Sequence, residues 1–252
     1  MVETEQNGCN RLTLVHLEVF YPNRLEYQMK FETAMILPFL HGSEFGPSTK
    51  WGRQPIHLQQ SELDGACGQH CLFMALLALG VVQRDDLSDL EEAEGELGKV
   101  WKKARKSFFD GTFSTDIIRI LSPFKNKINY YNISKRNNAL RDQIILDLQS
   151  NNMVMLILRN ASHAHWVLVV GMQGLLEFNS PSINEPCRYE KSCFNPDTFL
   201  LLDPSSAPLP FLSWNAVLEV NSTRSGYRNV EYISGKHSQK YKIDAAVSIG
   251  KK

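Results

Sequence analysis

The chain has 252 residues, with 27 Lys and Arg against 27 Asp and Glu, so its formal net charge is zero. A neutral chain carries no electrostatic footprint for a nucleic acid or an anionic membrane surface, which argues against either as a partner. At 43% hydrophobic residues it can bury a substantial core, and no apolar run approaches the roughly 18 residues needed to span a bilayer.

The first ten residues, MVETEQNGCN, are acidic and polar and lack the basic and apolar regions of a secretory signal. The expected location is the cytoplasm. Residues 12–20 (LTLVHLEVF) and parts of 27–37 (YQMKFETAMIL) alternate apolar and polar positions around the turn signal YPNR, which predicts a β-hairpin. Residues 41–58 are rich in Gly, Pro and Ser and read as an irregular connector. We therefore set residues 1–55 apart as a β-rich extension and assign 56–252 to the main domain.

From Cys67 the stretch CGQHCLFMALLALG is apolar nearly all round and ends at Gly80, which predicts a buried helix. Residues 86–108 predict a second, amphipathic helix, with acids early and Lys/Arg late as the helix dipole favours. A third helix is expected over 138–149 (NALRDQIILDLQ). Three short apolar runs then predict buried strands at 153–159, 165–172 and 199–203. The alternating tail from 226 to 249 adds further strands. The polar stretch 177–198 is expected to be a surface loop bordering the site.

Five cysteines, Cys9, Cys67, Cys71, Cys187 and Cys193, are too few and too unevenly spaced for a disulfide framework. Cys187 and Cys193 with His237 or Cys9 form a loose zinc alternative, and Cys67, Cys71, His163 and His165 another. Neither has the paired spacing of a zinc site, and no metal or cofactor is expected.

Three reactive residue types stand at the ends of expected elements. Cys67 opens a helix, His165 opens a strand, and Asp203 closes the next one. The positive end of a helix and a nearby imidazolium both favour a negative sulfur, which attacks a carbonyl carbon. A histidine hands a proton to the leaving amine, and a carboxylate on its far nitrogen holds the ring in place. The backbone N–H of Cys67 and a side-chain amide just upstream would serve the oxyanion. The alternatives are His163 as base, and Asn179, Asn184 or Asn195 as the orienting group. Cys71, one turn deeper in the apolar helix, reads as core.

The stretch QQSELDGACGQHCLFMALLALG resembles the active-site segment of the bacteriocin-processing, double-glycine-leader peptidases, a family of papain-like cysteine peptidases. SHAHWVLVVG is similar to that family's histidine strand and LLLDPSSAP to its Asp-Pro motif, in the same order. Gln60 lies seven positions before Cys67, one more than is usual in the family. The resemblance spans residues 56–205 and lacks a transporter portion. It implies an α+β, papain-like fold, in which a central N-terminal helix packs on an antiparallel β-sheet. By the same match Cys67 is the nucleophile, His165 the base, Asp203 the orienting group and Gln60 the oxyanion donor. The implied activity is cleavage of a peptide or protein substrate through a thioester. Deamidation, transglutamination, isopeptide cleavage and a catalytically silent peptide-binding module are the alternatives.

Overall fold

The computed structural model describes residues 13–17, 28–41, 46–49, 54–61, 65–136, 138–179, 194–220 and 230–252. Strands β1 (Thr13–Leu17) and β2 (Gln28–Ile36) pair antiparallel, and β3 (Leu40–His41) and β4 (Ser48–Thr49) form a small separate ribbon. Helix α1 (Cys67–Ala78) follows, then α2 (Gly95–Ala104), α3 (Ser114–Leu121), strand β5 (Ile128–Asn132) and α4 (Asn138–Gln149). Strands β6 (Met153–Arg159), β7 (Ala164–Asn179), β8 (Phe194–Leu202), β9 (Ala216–Glu219), β10 (Val230–Ser234) and β11 (His237–Lys251) complete the chain.

The strands close. In the order β7-β6-β11-β10-β9-β8 each pairs with the next, and β8 pairs back onto β7, giving a closed six-stranded antiparallel barrel. Strand β7 makes this possible by its length of 16 residues. One of its edges carries β8 from Leu168 to Leu176. Its other edge carries β6 as far as Val169 and then β2 from Gly171 to Asn179. Register slips between Val169 and Gly171 and between Gln173 and Gly174 bend the strand as bulges do.

Side-chain alternation sends the two faces of β6 and β7 into two different cores. Met153, Met155 and Ile157, with Trp166, Leu168 and Val170, pack against α1 and the short helices. Val154, Leu156, Leu158, Val167 and Val169 join Phe199, Leu201, Leu218, Val230 and Tyr241 from the other barrel strands, so this second core fills the barrel. Helix α4 adds Leu140, Ile144 and Leu148 to it. Strands apolar on both faces follow from this double burial.

The architecture corrects the expected one. A helix-on-sheet, papain-like arrangement is overturned by the closed barrel, which carries β1 and β2 beyond β7 and β5 on β11, beside four short α-helices among the described residues. Closure depends on which residues of β7 and β8 meet, and the apolar runs do not encode that. The long amphipathic helix expected over 86–108 is also broken up. A 3₁₀ turn occupies Asp85–Leu87 and α2 starts only at Gly95, whose φ of +62° no continuing helix allows. The surface loop expected at 177–198 is partly strand, because β7 reaches Asn179 and β8 starts at Phe194. The rest of it, with Cys187, Cys193 and Asn184, lies outside the described residues, as does Cys9. Among the described residues, no helix is long and apolar enough to cross a membrane.

Candidate functional site

Cys67 is the first residue of α1. The residue before it, Ala66, has no side chain to cap the helix, and the first turn holds no acid. The N–H groups that every helix start leaves without an intrahelical partner therefore meet no side-chain cap from Ala66 and no carboxylate of the first turn itself, and the dipole's positive end lies at Cys67. Helix α1 lies on β7 with little room to spare. A Cβ on Gly68 would come within 2.9 Å of the Trp166 ring. This close approach brings Cys67 Sγ to 3.5 Å from the backbone N–H of Trp166.

His165 and Asp203 come from the barrel. On β7, Val167 and Val169 point into the barrel core while Trp166 and Leu168 face α1. His165 continues the inward set at the end of the strand, beside its register partner Leu158. Asp203 follows β8 in the same alternation as inward-facing Leu201. Both side chains therefore stand at the barrel's rim. His165 Nε2 donates to Asp203 Oδ1 at 2.7 Å. The ring also hydrogen-bonds Cys67, for which Nδ1 is the nitrogen left.

Asp203 is 1% exposed and accepts three hydrogen bonds. Besides His165, the backbone N–H of Ser205 reaches Oδ1 at 2.7 Å, and the hydroxyl of Tyr232 on β10 donates to Oδ2. Its backbone is held as well. Asn215 Oδ1 accepts from the Asp203 N–H at 2.7 Å, Asn215 Nδ2 donates to the Asp203 carbonyl at 2.9 Å, and buried His57 Nε2 donates to that carbonyl at 3.0 Å. Sequence reasoning missed Tyr232, Asn215, His57 and Ser205. Ser205 sits in the Asp203 turn itself, where an Asp accepting from the N–H two residues on is a local signal, whereas Tyr232, Asn215 and His57 come from three separate segments that nothing local marks as neighbours of Asp203.

The charges follow from these contacts. Burial by itself pushes the His165 imidazolium toward neutrality. The hydrogen bonds to Asp203 and Cys67, and the negative charge of both, outweigh it and raise its pKa to about 10. Burial likewise opposes the Asp203 carboxylate, but His165, Tyr232 and the Ser205 N–H hold it below the usual range. Cys71 differs: burial, then the charges of Cys67 and Asp203, push its thiol well up. It is fully buried, with its Sγ 3.4 Å from the Trp166 carbonyl.

A cavity of about 460 Å³ opens over Cys67 and His165, lined also by Gln60, Phe109, Phe113 and Arg159. The Gln60 backbone N–H donates to the Pro204 carbonyl at 2.7 Å, tying this segment to the Asp203 turn. Gln59 is exposed and does not line the cavity. The loop bearing Phe109 and Phe113 is held by the Trp166 indole N–H, which donates to the Thr112 carbonyl at 2.8 Å. His163 is exposed and hydrogen-bonds the Tyr241 hydroxyl at 3.0 Å, away from the thiol. Asn195 lies on β8, with its amide oxygen accepting from Arg141. Among the described residues, no group of His, Cys, Asp and Glu gathers as a metal centre.

No family model matches this chain, and no curated protein matches it. The arrangement itself combines a thiol at a helix start, a part-buried imidazole beside it backed by a buried carboxylate, and an open cavity over thiol and imidazole. Such a set can carry out nucleophilic attack and proton transfer on a carbonyl substrate.

Proposed function

We propose that this protein is a cysteine-type peptidase that cleaves a peptide bond in a peptide or protein through a thioester. The observation that carries this reading is the continuous hydrogen-bonded run from Cys67 through His165 to Asp203, facing one cavity. The Cys67 thiolate attacks the scissile carbonyl carbon, forming a C–S bond. The His165 imidazolium gives its proton to the nitrogen as the C–N bond breaks. Water then attacks the thioester, its proton passes to His165, and the carboxylic product leaves with the thiolate restored. The helix-start N–H groups and the Gln60 amide are the donors for the oxyanion. The similarity of the Cys67, His165 and Asp203 segments to the double-glycine-leader peptidases supports the same chemistry. Among the described residues Cys67 and Cys71 are free thiols, which suits a reducing compartment, and we place the protein in the cytoplasm.

Digestion of a peptide library, read by mass spectrometry, tests the reading. Wild type produces cuts, and all of them disappear in Cys67→Ala, checked for folding by its melting curve. Cuts that persist in folded Cys67→Ala overturn the proposal.

A further inference from the structure

A second cavity, of about 330 Å³, opens at the mouth of the barrel. It shares His165 and Ser205 with the thiol cavity but does not touch Cys67. Its floor is Leu158 and the Asp203–Tyr232 pair, and its walls include His163, Ser234, His237, Gln239 and Tyr241. Barrel mouths are places where folds hold ligands, because closure leaves inward-pointing side chains ringed around an open end.

The lining is unusual in composition. Apart from Leu158 every lining side chain offers a hydroxyl, an imidazole, an amide or a carboxylate, and none is Lys or Arg. Several of these groups are already oriented. Tyr241 donates to Gln239 Oε1 at 2.8 Å and lies edge-on to both His163 and Tyr232, with ring centroids 5.7 and 5.8 Å away. Ser206 and Ser234 share a hydrogen bond of 2.6 Å. A pre-ordered polar wall favours a ligand that completes its hydrogen bonds. The capacity these groups keep beyond those pairs, such as the Gln239 amide N–H groups, would go unmet beneath an apolar ligand, at about 1–3 kcal/mol for each group that becomes buried.

Resting on the peptidase reading, we infer that the barrel-mouth cavity is the subsite for the amine side of the scissile bond and selects a polar, hydrogen-bonding residue there. The geometry divides the work at His165. The thiol must lie on the acyl side, where the C–S bond forms, so the cavity lined by Cys67 takes that half of the substrate. The leaving nitrogen must lie within reach of the imidazole that protonates it. The chain beyond that nitrogen then runs past His165 into the one cavity that shares this residue among those described. Phe109 and Phe113, 77% and 68% exposed, stand on the acyl side only. The two halves of the substrate thus meet different surroundings: Phe109 and Phe113 with Gln60, Asp110 and Arg159 before the cut, and hydroxyl, imidazole and amide groups after it.

The same library digestion decides this when the residue immediately following each cut is tabulated for wild type and for Gln239→Ala/His163→Ala. Neither residue belongs to the catalytic set. In wild type, Ser, Thr, Asn and Gln are enriched after the cut at least five-fold over Leu, Val and Phe. In the double variant cutting before Ser, Thr, Asn and Gln slows while cutting before Leu, Val and Phe does not, so the enrichment falls to less than two-fold, and the preference before the cut is unchanged. Cutting by wild type with no preference, or with an apolar preference, after the scissile bond overturns this inference alone. So does an enrichment that survives the double variant. Absence of any Cys67-dependent cut overturns the peptidase reading, and this inference with it.

Discussion

The two halves of the site are built in different ways. The thiol half is local: Cys67, Gly68 and the start of α1 are consecutive in the chain, and Gly68 lets them approach Trp166 and Thr112 closely. The acid–base half is assembled. His165 comes from β7, Asp203 from the end of β8, Tyr232 from β10 and Asn215 from just before β9, and they meet only because the barrel closes. A local half is broken by a change in one segment. An assembled half is over-determined, with several donors on one carboxylate, and should lose function in steps.

The largest expected effect separates the members of the catalytic set. His165→Ala should reduce kcat/KM nearly as far as Cys67→Ala, because no neighbouring group replaces the proton transfer. Asp203→Asn should cost less, since an amide oxygen still accepts the His165 N–H. Steady-state kinetics on any peptide the wild type cuts will rank them. An Asp203→Asn variant as dead as Cys67→Ala would show that charge, not orientation, is what Asp203 supplies.

Next come two ways to break the thiol half. Gln60→Ala should lower kcat by on the order of 10²-fold, as loss of a preorganised oxyanion donor does, while Gln59→Ala stays close to wild type. Gly68→Leu drives a side chain into the Trp166 ring and moves α1 relative to β7. A displacement of about 1 Å at reacting atoms can cost on the order of 10²-fold. The hydrogen bond of His165 to Asp203 does not depend on that contact, so the histidine's NMR titration midpoint should fall by the share Cys67 supplies and still stay above the ordinary 6.5, while activity drops steeply. Loss of both together would mean that the halves are not independent.

The smallest effect is on the assembled half and is read in stability against pH. Tyr232→Phe removes one hydrogen bond to a buried carboxylate, worth about 1.5–3 kcal/mol. In the folded protein Asp203 titrates below its ordinary value of 3.8, so its contribution is present above that value and is lost as pH falls through the lower folded one. Without Tyr232 the folded value rises, and the acid limb of the melting-temperature profile should move to higher pH. The alkaline limb has the opposite origin. His165 is raised from 6.5 to about 10, so its contribution is full below about 6.5 and fades as pH climbs through about 10. Tyr232→Phe should shift the acid limb more than the alkaline one. Equal shifts would indicate general destabilisation of the barrel.

How much of this was legible beforehand depends on whether the signal is local. The helix over 138–149 and the strand over 153–159 coincide with α4 and β6, since each is a bounded apolar pattern of the right length. The residues proposed as nucleophile, base and orienting group stand at element ends in the chain, and the structure brings those three together in one hydrogen-bonded run. Helix α3 and strand β5 were not anticipated, being short and set among polar residues. Tyr232 and Asn215 were not visible either. A tyrosine in YIS and an asparagine in SWNA look like any half-buried strand or turn residue until the partner is known.

By itself the sequence determined the buried helix beginning at Cys67, the apolar strands around His165 and Asp203, and the neutral charge that argues against polyanionic partners. These rest on periodicity, composition and capping, which act over a few residues. Tertiary structure alone decided that the sheet closes, that β2 continues the edge where β6 ends, and that a second, polar cavity opens beside His165. Those outcomes depend on strand register and on bulges in β7, set by contacts between residues far apart in the chain. An apolar run is equally compatible with many pairings, and only the simultaneous filling of both cores selects one.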